Sequence, residues 1–278
     1  MSSISSAIDL QLSHPEEWRI AIRVETGRIT FAACCDAERD SLLCRSVDIV
    51  PSDPNRAEAD LENCVYDNPF FLQEFKQTRV IVPSTRFMIM PDDVAASREA
   101  AQAAFATLYG APAGDLLIDP MPRCRAALVH ELPPGLLPFL NRTFYNPPVR
   151  HPLSAICEHF AGVARGAGVS RLCAYLQDRT ADIALIKAGK LAFANSLPCA
   201  SPDDAAFFIL SVWNKHQLDQ TRDEVQITGD KLAREAVTAR LRQYIAYVMP
   251  AFYPLSAMKI AKDAINAPFD LIITLLCE

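Results

Sequence analysis

Two stretches far apart in this chain open in the same way, and that repetition limits the available folds more than any other feature. Trp18-Arg19-Ile20-Ala21-Ile22-Arg23-Val24 alternates as a strand does, turns at Glu25-Thr26-Gly27-Arg28 and returns as Ile29-Thr30-Phe31-Ala32. Thr26-Gly27 suits a tight two-residue hairpin. Downstream, residues 172–176 and 182–186 form a second hairpin, and Leu191-Ala192-Phe193-Ala194 follows the Ala188-Gly189 turn as a third strand. Each opening gives way to helices alternating with strands. That is the signature of a duplicated α/β unit.

Helix signals fill the space between the strands. Ser201-Pro202-Asp203-Asp204 combines a serine cap, a proline in the first turn and acids at the positive end of the helix dipole. The helix it opens carries Ala205, Phe208, Ile209, Val212 and Trp213 on one broad apolar face. A later helix is expected to place Ala233, Val237, Leu241, Ile245 and Val248 at helical spacing, with Arg234, Arg240 and Arg242 on a solvated face. Residues 92–109 read as one alanine-rich helix closed by Gly110, and residues 153–164 as a helix linking two halves. Pro133-Pro134 and Pro147-Pro148 mark the border, so the expected units are 1–148, with an inserted subdomain, and 149–278.

Composition excludes several classes. The 278 residues suffice for a large core. A net charge of −6 without basic blocks argues against nucleic acid as the main partner. The longest apolar run, residues 271–277, is strand-sized and far short of a membrane span. Met1-Ser2-Ser3-Ile4-Ser5 lacks the basic and apolar regions of a signal peptide, so a cytoplasmic protein is expected.

Cysteine and histidine carry no recognisable chemistry. The nine cysteines (Cys34, Cys35, Cys44, Cys64, Cys124, Cys157, Cys173, Cys199 and Cys277) include no Cys-x-x-Cys pair and read mostly as buried thiols. Cys157 and His159 fall about 200° apart around a helix, so they do not share a face. His14, His130, His151, His159 and His216 are dispersed and read as surface or satisfied core residues, His151 with a helix-start role. Asp178 and Asp182 read as solvated turn acids, and Trp18 and Trp213 as core. No metal ligands and no catalytic residues are expected.

Glycine is scarce: nine residues, where backbone cradles for phosphate need glycine for left-handed angles and close approach. There is no Gly-x-Gly-x-x-Gly and no Gly-x-x-x-x-Gly-Lys.

Against this background, Tyr175-Leu176-Gln177-Asp178-Arg179-Thr180-Ala181-Asp182 resembles the second phosphate-binding hairpin of actin-like ATPases. Thr180 and Asp182 fit that pattern; Tyr175 stands at its first acid, and Gln177, Asp178 and Arg179 at its glycines. Further stretches resemble an uncharacterised bacterial family with that fold: Arg86-Phe87-Met88-Ile89-Met90-Pro91-Asp92-Asp93, Asn195, Pro202-Asp203-Asp204 before Phe207-Phe208-Ile209-Leu210, and Val225-Gln226-Ile227-Thr228-Gly229-Asp230. The resemblance implies an α/β actin-like ATPase-domain fold, in which two ribonuclease-H-like halves with mixed sheets flanked by helices face each other across a cleft.

In the active members nucleotide lies in that cleft, and the positions matching their motifs here are Thr26, Gly27, Thr180, Asp182, Thr228 and Gly229. In one register Arg23 takes the place of the metal-organising acid and Glu25 that of a glycine; in another Glu25 is the acid and Gly27 the glycine. Neither restores the motif. Asp230 replaces a glycine of the adenosine element, where it serves as a helix cap or repels a phosphate.

The expectation is therefore a non-catalytic actin-like-fold protein with a degenerate nucleotide site and no cofactor, acting as a protein-interaction or scaffold module. Its partner is an unknown protein or a second copy in a homodimer. The alternatives are an ATP-binding switch of the cell-division or pilus-assembly type, holding ATP with Mg²⁺ through a divergent loop, and an enzyme acting on an unrelated small molecule in the cleft.

Overall fold

The computed structural model describes residues 10–50, 57–163, 168–261, 264 and 267–276. The first residues, read above for a signal peptide, lie outside that set, as do Ala164 and Cys277.

Strand β1 (Trp18–Glu25) pairs antiparallel with β2 (Arg28–Cys35), and β2 with β3 (Leu43–Asp48). Gly27, with φ of 84°, takes the left-handed angle that lets Glu25 and Arg28 close this hairpin. After α1 (Ala57–Tyr66), β4 (Gln77–Ile81) returns parallel to β1. An excursion follows: β5 (Phe87–Pro91), α2 (Asp92–Ala95), α3 (Arg98–Tyr109), β6 (Leu116–Met121) and β7 (Ala126–Glu131), with a separate antiparallel sheet of order β5-β7-β6. Then α4 (Leu136–Thr143) leads to β8 (Val149–Arg150), which pairs with β4 in the first sheet. Residues 149–150, read above as the start of the second unit, thus lie in the first sheet.

The linking helix α5 (Pro152–Val163) precedes β9 (Arg171–Leu176), β10 (Thr180–Lys187), β11 (Lys190–Pro198), α6 (Pro202–Lys215), β12 (Glu224–Gly229), α7 (Lys231–Leu241) and β13 (Tyr247–Pro250). The first sheet runs β3-β2-β1-β4-β8 and the second β11-β10-β9-β12-β13, so one five-strand topology occurs twice. Short α8 (Ala257–Ile260) and buried α9 (Phe269–Leu276) complete the described chain.

Period-2 alternation assigns the faces. In the first sheet Ile20, Ile22 and Val24 pack with Phe31 against Phe70, Phe71 and Phe139 on the outer side, whereas Ala21, Ala32 and Cys34 meet Leu271 and Leu275 of α9 on the inner side. In the second sheet Leu172, Ala174 and Leu176 face Ile209 and Trp213 of α6, and Cys173 and Tyr175 face Ile156 and Phe160 of α5 and Phe269 of α9. The two central helices are exchanged. Helix α5 leaves the first sheet and packs on β10 and β11, while α9 packs on β1, β2 and β4.

Local signals place most helices, with three departures. Ser201 caps α6, its hydroxyl accepting the Asp204 amide. Residues 92–109 form two helices, because Ser97 is extended and caps a fresh start through the Ala100 amide. Helix α7 ends at Leu241; Ile245 lies beyond it and Val248 in β13, so the helical stripe continued into a buried loop and strand. The apolar run from residue 271 is helical. Among the described residues no helix is long and apolar enough to cross a membrane, and the described cysteines are all free thiols.

Candidate functional site

The two hairpins converge on one cleft of about 730 Å³ between the sheets. Its walls carry the 25–28 turn from the first hairpin, the 177–180 turn from the second, and Gly229, Asp230, Lys231 and Arg234 at the start of α7. Four of the six sequence-assigned positions, Thr26, Gly27, Thr180 and Gly229, line this space. Asp182 and Thr228 do not.

Arg23 controls the base of the cleft. It lies on the face of β1 that also carries Ala21 and Arg19, the face toward α9. Its Nη1 donates to Asp270 Oδ2 at 2.9 Å, and its Nη2 donates to Glu25 Oε1 at 2.6 Å and to the side-chain oxygen of Gln177. Gln177 extends the chain of contacts, its Nε2 donating to Asp182 Oδ2 at 2.8 Å. Tyr175, at the position of the missing acid, donates its hydroxyl to Asp270 Oδ1 at 3.0 Å. A guanidinium thus joins β1, the second hairpin and α9 where the resemblance implies a metal-organising carboxylate.

Burial sets the electrostatics of this network. The Tyr175 hydroxyl is pushed up, first by burial and then by the Asp270 charge, so it is a proton donor throughout the neutral range. Asp182 is pushed up to about 6 by burial; the hydrogen bond from Ser196 pulls the other way and the Asp270 charge adds to the rise. Desolvation opposes the charge of Arg23, but the carboxylates of Asp270 and Glu25 outweigh it and hold the guanidinium protonated.

Several expectations need correction. Asp182 is 2% exposed and belongs to the buried network, because the outward-in alternation of β10 turns it to the inner side; Asp178 is the solvated turn acid. Thr228 is buried and shares a 3.1 Å hydrogen bond with the Tyr253 hydroxyl, away from the cleft. Arg234 lines the cleft, and Arg240 pairs with Asp203 across α6 and α7, so neither merely faces water. Gly229 lines the cleft but has another need for glycine: at φ of 117°, a Cβ there would lie 2.0 Å from the Leu176 carbonyl oxygen. Asp230 is a cap, its Oδ1 accepting the Ala233 amide at 3.0 Å. His151 fits its helix-start reading, its Nδ1 accepting the Leu153 amide at 3.1 Å.

Sequence reasoning placed Gln177 only at a missing glycine and did not single out Asp270. A lone acid in the apolar run Phe269-Asp270-Leu271-Ile272-Ile273 was the available signal, since a buried carboxylate demands a partner. Among the described residues no group of three or more histidine, cysteine, aspartate or glutamate side chains is placed to hold a metal ion. Of the five cations on the cleft wall, Arg23 and Arg28 are paired, Arg28 with Asp48 at 2.7 Å. Arg179, Lys231 and Arg234 have no side-chain ion pair among the described residues.

Comparison with known proteins places the fold. A crystal structure from Bacteroides thetaiotaomicron VPI-5482, of a protein with an actin-like ATPase fold and unknown function, superposes with a TM-score of 0.78 at 19% identity, over 97% of this chain and 99% of that one. The PilM–PilN type IV pilus biogenesis complex contains a chain matching with a TM-score of 0.52 at 9% identity, over 91% of this chain and 97% of that one. No curated protein matches the sequence. The chain has the actin-like ATPase fold. The family model for proteins of unknown function DUF3822 matches residues 9–248, and the chain belongs to that family.

Proposed function

We propose that this protein is a non-catalytic member of the actin-like fold that acts by binding another protein, in the cytoplasm. The observation that carries this reading is the Arg23 guanidinium, buried at the base of the cleft and held by Asp270, Glu25 and Gln177. A fixed cation there opposes a divalent metal at the same place, and phosphoryl transfer depends on metal and donors placed around the γ-phosphate. The 177–180 turn supplies side chains where a phosphate cradle needs glycine backbone. Fold analogy supports the partner role: the PilM–PilN neighbour is a two-protein complex. The units proposed for partner mapping are 1–148 and 149–278, with β8 (Val149–Arg150) of the second completing the sheet of the first.

Calorimetric titration with MgATP tests the reading. No heat of binding is expected at protein concentrations of tens of micromolar, whereas a Kd of about 10 µM or tighter overturns the empty-cleft reading. Sedimentation of the purified chain reports whether the partner is a second copy.

One observation favours the alternative, a nucleotide-binding switch. The cleft is of ligand size, and Arg179, Lys231 and Arg234 stand on its wall. Under that reading the three side chains replace the glycine backbone as phosphate donors, and triple substitution by alanine abolishes the MgATP heat.

A further inference from the structure

A second cavity, of about 240 Å³, opens away from the hairpins, where β4, β8, the turn after β6 and the central helices α5 and α9 meet. Its wall concentrates positive charge in a chain of net charge −6: Arg79, Arg123 and Arg150 against one carboxylate, Glu158. Glu158 is turned to backbone, its Oε1 accepting the Arg123 amide at 2.9 Å. Neither Arg123 nor Arg150 forms a side-chain ion pair among the described residues.

The donors are also held in place. Arg79 Nη1 donates to the Thr274 carbonyl oxygen at 2.7 Å, and Arg150 Nη2 to the Pro120 carbonyl oxygen at 3.1 Å. Each contact fixes one nitrogen of an arginine that lines the cavity.

We propose that this cavity is an anion site that binds a compact dianion, a phosphate group or a small dicarboxylate, through Arg79, Arg123 and Arg150. Guanidiniums match both chemistries, because their planar donor pairs fit two oxygens of one anion. The volume is below that of pockets that hold drug-sized ligands, which excludes a nucleoside triphosphate. The bound anion would touch the first sheet, the inserted sheet's turn and α9, so occupancy stabilises the junction of these parts by mass action.

Calorimetry on the full chain tests this, with inorganic phosphate and malonate as probes and sodium chloride matched for ionic strength. Saturable binding with a Kd of about 1 mM or tighter is expected for at least one probe. Phosphate alone identifies the phosphate class, and malonate alone the dicarboxylate class. Arg123→Ala, at an exposed position, weakens binding roughly tenfold or more. Arg234→Ala, in the large cleft, leaves it unchanged. The proposal is overturned by absence of saturation up to about 20 mM of either probe. It is equally overturned if Arg123→Ala binds as the wild type does, or if Arg234→Ala removes binding. Near-ultraviolet circular dichroism of each variant confirms the native fold before its titration is read.

Discussion

Arg23 Nη1 and Asp270 Oδ2 lie 2.9 Å apart, joining the first strand of the fold to its last described helix across more than two hundred residues of sequence. The Asp270 side chain is fully buried and that of Arg23 only 11% exposed. Removing one partner of such a pair strands the other charge, so Asp270→Ala is expected to cost about 3–5 kcal/mol in denaturant unfolding. Replacing both, as in Arg23→Met with Asp270→Leu, removes the stranded charge and recovers most of that loss. A double variant less stable than either single one would contradict this account.

Two buried groups give opposing pH dependences. His151 is held down to about 4, first by burial and then by nearby His130. The unfolded chain therefore takes up that proton more readily, and stability is lost as pH falls from about 6.5 toward 4. Asp182, pushed up to about 6, holds its proton more tightly when folded, and its contribution is lost as pH rises from 3.8 toward 6. Between pH 4 and 6 the two slopes offset. Asp182→Asn unmasks the histidine, and its stability relative to wild type falls on acidification by up to about 1.4 kcal/mol per pH unit. His151→Gln shows the opposite slope. Parallel wild-type and variant curves over this window would refute the assignment.

The glycines at the cleft rim differ sharply in cost. A Cβ at Gly27 meets nothing within 4 Å, so Gly27→Ala carries only the left-handed backbone penalty of roughly 1–2 kcal/mol. At Gly229 a Cβ meets the Leu176 carbonyl oxygen, and Gly229→Ala is expected to lose about 3 kcal/mol or more. Thermal unfolding of the two variants checks the order. Equal losses would show that β12 does not need this close approach to β9.

Asp230 offers a direct test of structural against ligand roles. Asp230→Ala removes the cap of α7 and is expected to lower stability by about 1 kcal/mol, with no gain of MgATP binding. Micromolar MgATP affinity appearing in this variant would mean that the carboxylate had been repelling a phosphate.

Features written in short windows of sequence were legible. The Thr26-Gly27 and Ala188-Gly189 turns, the Ser201 cap and the alternation in β1 and β9 each depend on neighbours within a few residues, and the structure has them. The α7 stripe was legible only to Leu241, because helical spacing in apolar residues does not mark where a helix stops. The network under the cleft was hidden for another reason. Arg23, Tyr175, Asp182 and Asp270 lie on four separate elements and Gln177 in the turn between two of them, and only folding brings them together. A motif frame identified Tyr175 as an absent acid; it could not say that Asp270 had arrived from α9 to accept its proton.

The exchange of α5 and α9 has a consequence for how the molecule is assembled. All five strands of the first sheet have been made by residue 150, yet the helix that covers their inner face begins at residue 269. During synthesis, Ala21, Ala32, Cys34 and Ile81 wait for Leu271 and Leu275 while the whole second sheet is built. The early half is thus committed to a nascent state with an open apolar face, a target for chaperones and for aggregation. Closure of that face comes only when α9 docks and Asp270 meets Arg23, which ties the last described helix to the first strand.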